Sequence, residues 1–329
     1  MHSIGRSPAG HGGGPRVRRA VLAAAAVVLL AAGGLSCAGA SKQGSQPGTT
    51  TPVAGSKATA ATTSRLSGLC FSPYTRGTPA SDAAPGTVDS LQGIVSPYTD
   101  SIRTFGSLGS GAETATAANA LGLKVAVGAD IESDPVRNDA QVAGVISLAS
   151  AGKVDLAVIG EESLYFNFTD EQKLIDYINR VKKTGVTTTT SETWGELIGH
   201  PRVIAACDVL VANMFPYWEN VDIASSIKYL ESSYQKITKA AGSKEVMIET
   251  GWPSAGATRG AAVANPANAA YYLKAFTSWA RSHKVKYFYF EAFDEPWKVA
   301  HEGEVGGHWG IWDTSGQMKP GMAPAFGKR

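Results

Sequence analysis

An α/β barrel is the fold this sequence predicts, and three observations predict it. Short apolar runs alternate with amphipathic helical patterns about eight times over roughly 230 residues. Several of those runs are almost unbroken in Val, Ile and Leu, as strands covered on both faces are. The runs also end on acids and aromatic rings, and the C-terminal ends of the strands are where a barrel of this kind carries its chemistry. The expected fold class is therefore α/β, a single (β/α)8 TIM barrel preceded by an export signal and a flexible linker.

The elements follow in chain order. Residues 68–72 (GLCFS), 101–105 (SIRTF), 123–129 (LKVAVGA), 154–160 (VDLAVIG), 186–191 (VTTTTS), 208–215 (DVLVANMF), 245–250 (EVMIET) and 285–293 (VKYFYFEAF) are the candidate strands. Between them lie helices with start and stop signals. Ser133-Asp134-Pro135 opens one. Thr169-Asp170-Glu171-Gln172 reads as a capping box, ahead of Leu174, Ile175, Ile178 and Val181 on one face, with Gly185 after the end. Asn265-Pro266 opens another.

The N-terminus reads as a targeting segment. Arg16, Arg18 and Arg19 precede an apolar run over 20–32, too short to span a bilayer and the right length for a signal. Ala38-Gly39-Ala40 offers one cleavage site. Leu35-Ser36-Cys37 resembles a lipobox that would leave Cys37 acylated as a membrane tether. Residues 1–40 are thus assigned to a signal peptide or lipoprotein signal. Residues 41–66, rich in Ser, Thr, Gly and Ala, are assigned to a disordered linker, and 67–329 to the barrel. The expected location is extracellular, periplasmic or membrane-anchored. Cys70 and Cys207 fall inside apolar strand patterns and read as unpaired buried thiols.

The 329 residues are 43% hydrophobic and 18% charged, with a formal net charge of +2. No basic field exists to draw nucleic acid, so that partner class is excluded, and a monomer is expected. No Cys/His spacing suits zinc, and neither metal nor organic cofactor is expected.

Function is read from the strand ends. The first run leads to Tyr74, the second to Arg103, the third to Asp130 and the fourth to Glu161-Glu162. The fifth ends near Glu192 and Trp194, the sixth near Asn213, Tyr217 and Trp218, and the seventh at Glu249, with Gly251 and Trp252 behind it. The eighth leads to Glu291, Glu295 and Lys298. One rim so crowded with carboxylates and rings suits a neutral sugar polymer: rings stack on pyranose faces and carboxylates accept from hydroxyls. Two acids facing each other across a glycosidic bond supply a mechanism, one protonating the leaving oxygen and the other attacking the anomeric carbon or activating water. Strands four and seven lie roughly opposite each other in such a barrel. Glu249 is one partner and Glu161 or Glu162 the other, because strand alternation lets only one of that adjacent pair point easily into the cleft.

The chain resembles glycoside hydrolase family 17, the β-1,3-glucanase family, in its bacterial and fungal branch. ETGWPS (249–254) resembles the nucleophile motif, and VIGEESL (158–164) occupies the place of the acid/base motif. FEAFDEPWK (290–298) and GGHWGIWD (306–313) resemble the closing segments, and FSPY and IRTFG the opening strands. The resemblance implies a barrel with retaining chemistry, Glu249 as nucleophile and Glu162 as general acid/base, with carboxyl groups about 5–5.5 Å apart. The expected substrate is a β-glucan polysaccharide or oligosaccharide, with Tyr74, Arg103, Glu161, Asn213, Tyr217, Trp252, Glu295 and Lys298 as substrate-binding residues. Tyr74, Tyr217, Trp218 and Trp252 are the candidate stacking platforms. Arg103 is expected to orient carboxylates, and Glu291, Glu295 and Lys298 to form a network beneath the cleft. Asp130, Glu132 and Glu192 read as solvated loop acids, and His200, His283 and His301 carry no catalytic role.

Two departures from the family pattern keep rivals open. Glu161 stands where the family usually has Asn, and Phe166 where an Arg is common. A transglycosylase using the same site, a catalytically impaired glycan-binding barrel, and a barrel acting on another β-linked polymer are the alternatives.

Overall fold

The computed structural model describes residues 64–326. The signal segment and most of the assigned linker, 1–63, lie outside the described residues. Among the described residues eight strands form one closed barrel: β1 Leu69–Cys70, β2 Ser101–Arg103, β3 Lys124–Ala129, β4 Leu156–Glu161, β5 Thr188–Thr193, β6 Leu210–Asn213, β7 Val246–Thr250 and β8 Tyr287–Tyr289. Every neighbouring pair is parallel, and β1 meets β8 through Leu69 and Tyr289. Most strands are shorter than their apolar runs, because several runs continue past the ladder into the loops of the rim; β5 is as long as its run but begins and ends two residues later.

Helices cover the barrel: α1 Thr87–Val95, α2 Ser110–Ala120, α3 Pro135–Ser150, α4 Glu171–Lys182, α5 Trp194–Gly199, α6 Pro201–Ala206, α7 Ser226–Ala241, α8 Pro266–His283 and α9 Val299–Glu302. Asp134 caps α3 by accepting from the amides of Val136 and Arg137, and Pro135 follows at a position where no amide donor is needed. Asn265 does the same for α8 through Asn268. The α4 start differs from the sequence expectation. Asp170, not Thr169, is the cap, and it accepts from the amide of Lys173. Leu174, Ile175, Ile178 and Val181 are the buried face, as the periodicity predicts.

β5 is the least apolar strand and still sits in the core. Thr188, Thr189 and Thr190 are fully buried, and the hydroxyls of Thr188 and Thr189 donate to the carbonyls of Val186 and Thr190. Their branched Cβ suits a strand, and the bonds satisfy a polar group that burial would otherwise penalise.

The linker boundary moves. Leu66 is buried and bridges to Thr99, and Arg65 pairs with Asp100 at 2.5 Å. Ser64 donates its amide to the carbonyl of Phe326 at 3.0 Å. Residues 64–66 therefore belong to the barrel floor rather than to the linker, because Leu66 has an apolar site to fill there. Cys70 and Cys207 are free and buried, as expected.

The C-terminal segment returns to the rim. Trp312 bridges in parallel to Phe293, just beyond β8, and in antiparallel to Met318. Trp309 packs edge-on against Phe215, Tyr217 and Phe290. Gly251, two residues after Glu249, has no room for a side chain: a Cβ there would lie 1.9 Å from the carbonyl oxygen of Phe290. Relief requires movement of backbone at the end of β8. Gly251→Ala is expected to lower stability by about 1–3 kcal/mol, read by urea denaturation.

Candidate active site

Five side chains at the C-terminal ends of the strands form one continuous chain of contacts. Arg103 ends β2 and is buried. One arm of its guanidinium pairs with Glu249 on β7 and the other with Glu161 at the end of β4. The amide of Asn213, at the end of β6, donates to Glu161 Oε1 at 2.7 Å and to Glu162 Oε1 at 3.0 Å. Ser191 Oγ donates to Asn213 Oδ1 at 2.7 Å and so fixes which way the amide faces. The order is Glu249, Arg103, Glu161, Asn213, Glu162. Glu249 and Glu162 are 1% and 4% exposed, so both acids are nearly out of water.

The expectation that only one of Glu161 and Glu162 can face the cleft is corrected. The β4 register shifts between Val158 and Glu161. Gly160 has φ 89° and Glu162 φ 50°. Regular alternation has ended by this point, and both carboxylates reach the same amide. Arg103 does orient carboxylates, as expected, and binds two of them.

Behind this chain lies a second cluster. Lys298 Nζ is 2.5 Å from Glu291 and 2.6 Å from Glu295, with all three side chains buried. Burial pushes the Glu291 carboxyl well above the usual range, against the opposing pull of Lys298. Burial acts on Glu295 too, but Lys298 and the hydrogen bonds of Glu291 and Ser72 outweigh it and hold that carboxyl low. The two carboxyls thus share one buried cation and are pushed in opposite directions.

Next to the triad a cavity of about 590 Å³ opens between the loops after β1, β2 and β3. Tyr74, Phe105, Asp130, Glu295, Trp297 and Lys298 line it. Tyr74 and Trp297 are half-buried and present ring surface. A larger hollow of about 770 Å³ lies at the opposite end of the barrel, around Lys124, Asp155, Glu245 and Lys286, far from these acids. Among the described residues, no group of His, Cys, Asp and Glu is arranged to hold a metal ion.

Several expected residues have other roles. Tyr217 and Trp252 are each 1% exposed. Tyr217 donates its hydroxyl to the Ala257 carbonyl, and Trp252 its indole N–H to that of Val263. Their rings pack on each other and on neighbouring rings, so neither is a platform for sugar. Trp218 is half-buried, with Arg259 over its ring. Asp130, Glu132 and Glu192 are not solvated loop acids. Arg137 pairs with both Asp130 and Glu132 at 2.9 and 3.0 Å. Glu192 is fully buried and accepts from the amides of Leu164 and Tyr165. His200, His283 and His301 lie at the surface, outside the cluster. Ser191 and Phe105, which the sequence reading passed over, belong to the site. Ser191 sits one residue before the acid that ends its run, and that was its only signal.

The closed parallel barrel, with buried acids converging from β4 and β7, defines the class: an α/β barrel of the glycoside hydrolase type. Residues 68–310 match the BtgE/BtgC glycoside hydrolase domain, and the chain belongs to that family. Among its relatives, the Probable beta-glucosidase btgE of Aspergillus fumigatus is 26% identical over 259 residues, covering 75% of this chain and 45% of that protein. The Probable glucan endo-1,3-beta-glucosidase btgC of Aspergillus oryzae is 25% identical over 236 residues, covering 61% and 34%. The chain thus spans less than half the length of these fungal relatives. Among solved structures, the glycoside hydrolase family 17 β-1,3-glucanosyltransferase of Rhizomucor miehei superposes with a TM-score of 0.70 at 28% identity, over 78% of this chain and 96% of that one. An active-site mutant of that enzyme was solved in complex with laminaritriose.

Two outcomes follow from the geometry. Arg103→Met leaves two buried carboxylates without their cation, and is expected to destabilise the fold by about 3–5 kcal/mol at neutral pH in urea denaturation. Burial first, and then Glu132, push the Asp130 carboxyl up to about 7 from its ordinary value of 3.8, in spite of Arg137. The folded chain therefore holds this proton more tightly than the unfolded chain. Its contribution to stability is fullest below about pH 4 and is lost as pH rises to about 7. The stability of Asp130→Asn relative to wild type is expected to improve steadily across that interval, measured by denaturation at several pH values.

Proposed function

We propose that this chain acts on β-glucan by double displacement, with Glu249 as nucleophile and Glu162 as general acid/base. The observation that carries the reading is the string of contacts from Glu249 through Arg103, Glu161 and Asn213 to Glu162. It ties two acids from β7 and β4 to one another through Arg103, Glu161 and Asn213. Arg103 stabilises Glu249 as the anion that a nucleophile must be. In the first step the protonated Glu162 gives its proton to the glycosidic oxygen while a Glu249 oxygen bonds to the anomeric carbon. The bond from that carbon to the departing oxygen breaks, and the released sugar leaves as an alcohol. In the second step Glu162, now a carboxylate, takes a proton from an incoming hydroxyl. That oxygen bonds to the anomeric carbon, and the Glu249 carboxylate is released.

The substrate class is supported by the relatives' names and by laminaritriose in the Rhizomucor miehei mutant. The neighbouring cavity, with Tyr74 and Trp297 offering ring surface and Glu295 offering acceptors, suits further sugar units of a chain. When the incoming hydroxyl belongs to water the reaction is hydrolysis, and when it belongs to a second sugar it is transfer. Similarity to a glucanosyltransferase over nearly all of that protein's length supports transfer as the second reading. Export is part of the proposal, supported by Arg16, Arg18 and Arg19 ahead of the apolar run, with Cys37 as the candidate site of acylation.

The test is product analysis on laminarin and its oligosaccharides. Wild type is expected to release products with the β configuration retained, read by proton NMR before mutarotation. Glu162→Gln is expected to lose about 10²–10⁴-fold in rate, and Glu249→Gln at least as much. Binding of the glucan with no turnover, unchanged in Glu249→Gln, would identify a glycan-binding barrel instead. Turnover of xylan or cellulose alone would move the substrate to another β-linked polymer.

A further inference from the structure

Glu162 occupies a backbone conformation that a glutamate does not favour. Its φ of 50° lies in the left-handed region, where a side chain with a Cβ is strained by about 1–3 kcal/mol. Such a conformation persists only where surrounding contacts hold it. β5 supplies those contacts. The amide of Glu162 donates to the carbonyl of Ser191 at 2.8 Å. One residue further along β5, the carboxylate of Glu192 reaches up to the turn. It accepts from the amide of Leu164 at 2.8 Å and from that of Tyr165 at 3.4 Å. The turn is closed below by Ser163 Oγ donating to the carbonyl of Ile131, and on its own backbone by the amides of Phe166 and Phe168.

Glu192 is 0% exposed. Burial holds its carboxyl well above the usual range, with the two amides pulling against it and the nearby Glu162 and Glu161 adding to it. Keeping an acid at this position is unfavourable in isolation, since an apolar residue would fill the space without those penalties. What the acid provides is a pair of oxygens that accept from two adjacent amides of the turn, those of Leu164 and Tyr165.

We infer that Glu192 is a positioning residue for the acid step: by binding the amides of Leu164 and Tyr165 it holds the strained turn that aims Glu162 at the departing oxygen. Glu192 touches no substrate in this role and moves no proton. The inference rests on Glu162 being the acid/base. It has a signature that general loss of structure lacks. A misdirected acid slows departure of a sugar alkoxide, which needs a proton, and does not slow departure of a dinitrophenolate, which leaves without one.

The experiment measures kcat/KM, which reports the steps up to glycosylation, for the full-length chain. Wild type, Glu192→Gln, Glu192→Asp and Glu162→Gln are compared on laminarin and on dinitrophenyl β-laminaribioside. Gln keeps the shape but turns an N–H2 towards one backbone amide; Asp keeps the carboxyl group but withdraws it by one methylene. Both Glu192 variants are expected to lose about 10- to 100-fold on laminarin while remaining close to wild type on the aryl glycoside. Turnover of the aryl glycoside by a variant also shows that its site is folded. Equal losses on the two substrates, or no loss on laminarin, overturn the inference. Glu162→Gln separates the two levels of the argument. If it shows the leaving-group split and the Glu192 variants do not, the positioning role alone is wrong. If Glu162→Gln shows no split, the acid assignment falls and the positioning role with it.

Discussion

The guanidinium of Arg103 is the constraint on which the rim of this barrel depends. It lies almost wholly out of water between carboxylates from two different strands. A lysine there could offer charge but not two planar donors at a fixed angle, so the spacing of Glu249 and Glu161 is set by the shape of one side chain. Asn213 extends the same logic. Its amide nitrogen has two hydrogens and spends one on each member of the adjacent pair from β4. The carboxylate that stands where the family usually has an amide is thereby absorbed into the scaffold: both of its oxygens are engaged by protein donors. Glu161 is better understood as the joint between the two halves of the site than as an extra acid left in the cleft.

Much of the fold was legible in the sequence because its signals are local. Alternation of apolar runs and helical faces, Asp134 and Asn265 before prolines, and the order of strand-end acids all translate directly into the barrel. The Cys70 and Cys207 readings held for the same reason, since each sits in an apolar run that the barrel buries. The failures have a common cause as well. Trp252 and Tyr217 look like sugar platforms in the sequence because they follow strand ends, but Trp252 packs between Tyr217 and Tyr272, and the C-terminal segment brings Trp309 against Tyr217. Glu192 looks like a loop acid because nothing within a few residues shows that the turn after β4 will present two amides to it. Contacts made between distant segments leave no mark at either place.

The two buried clusters solve the same electrostatic problem differently. In the string around Arg103 the charges are held by geometry, with each carboxylate meeting a donor from a separate strand. In the group around Lys298 two neighbouring glutamates share one cation, and burial raises one carboxyl while the cation and hydrogen bonds hold the other low. The first arrangement fixes where the carboxylates from β4 and β7 stand. The second lies against aromatic rings, with the Phe290 ring 4.4 Å from the ammonium group.

The floor of the barrel carries a consequence for orientation. The chain enters at Ser64, beside Phe326, and is pinned there by Arg65 and Leu66 at the end opposite the acids. Anything fastened to the polypeptide upstream of that point pulls on the underside. A tether in the preceding residues would therefore leave from the face opposite the acids and would not have to cross the open end of the barrel.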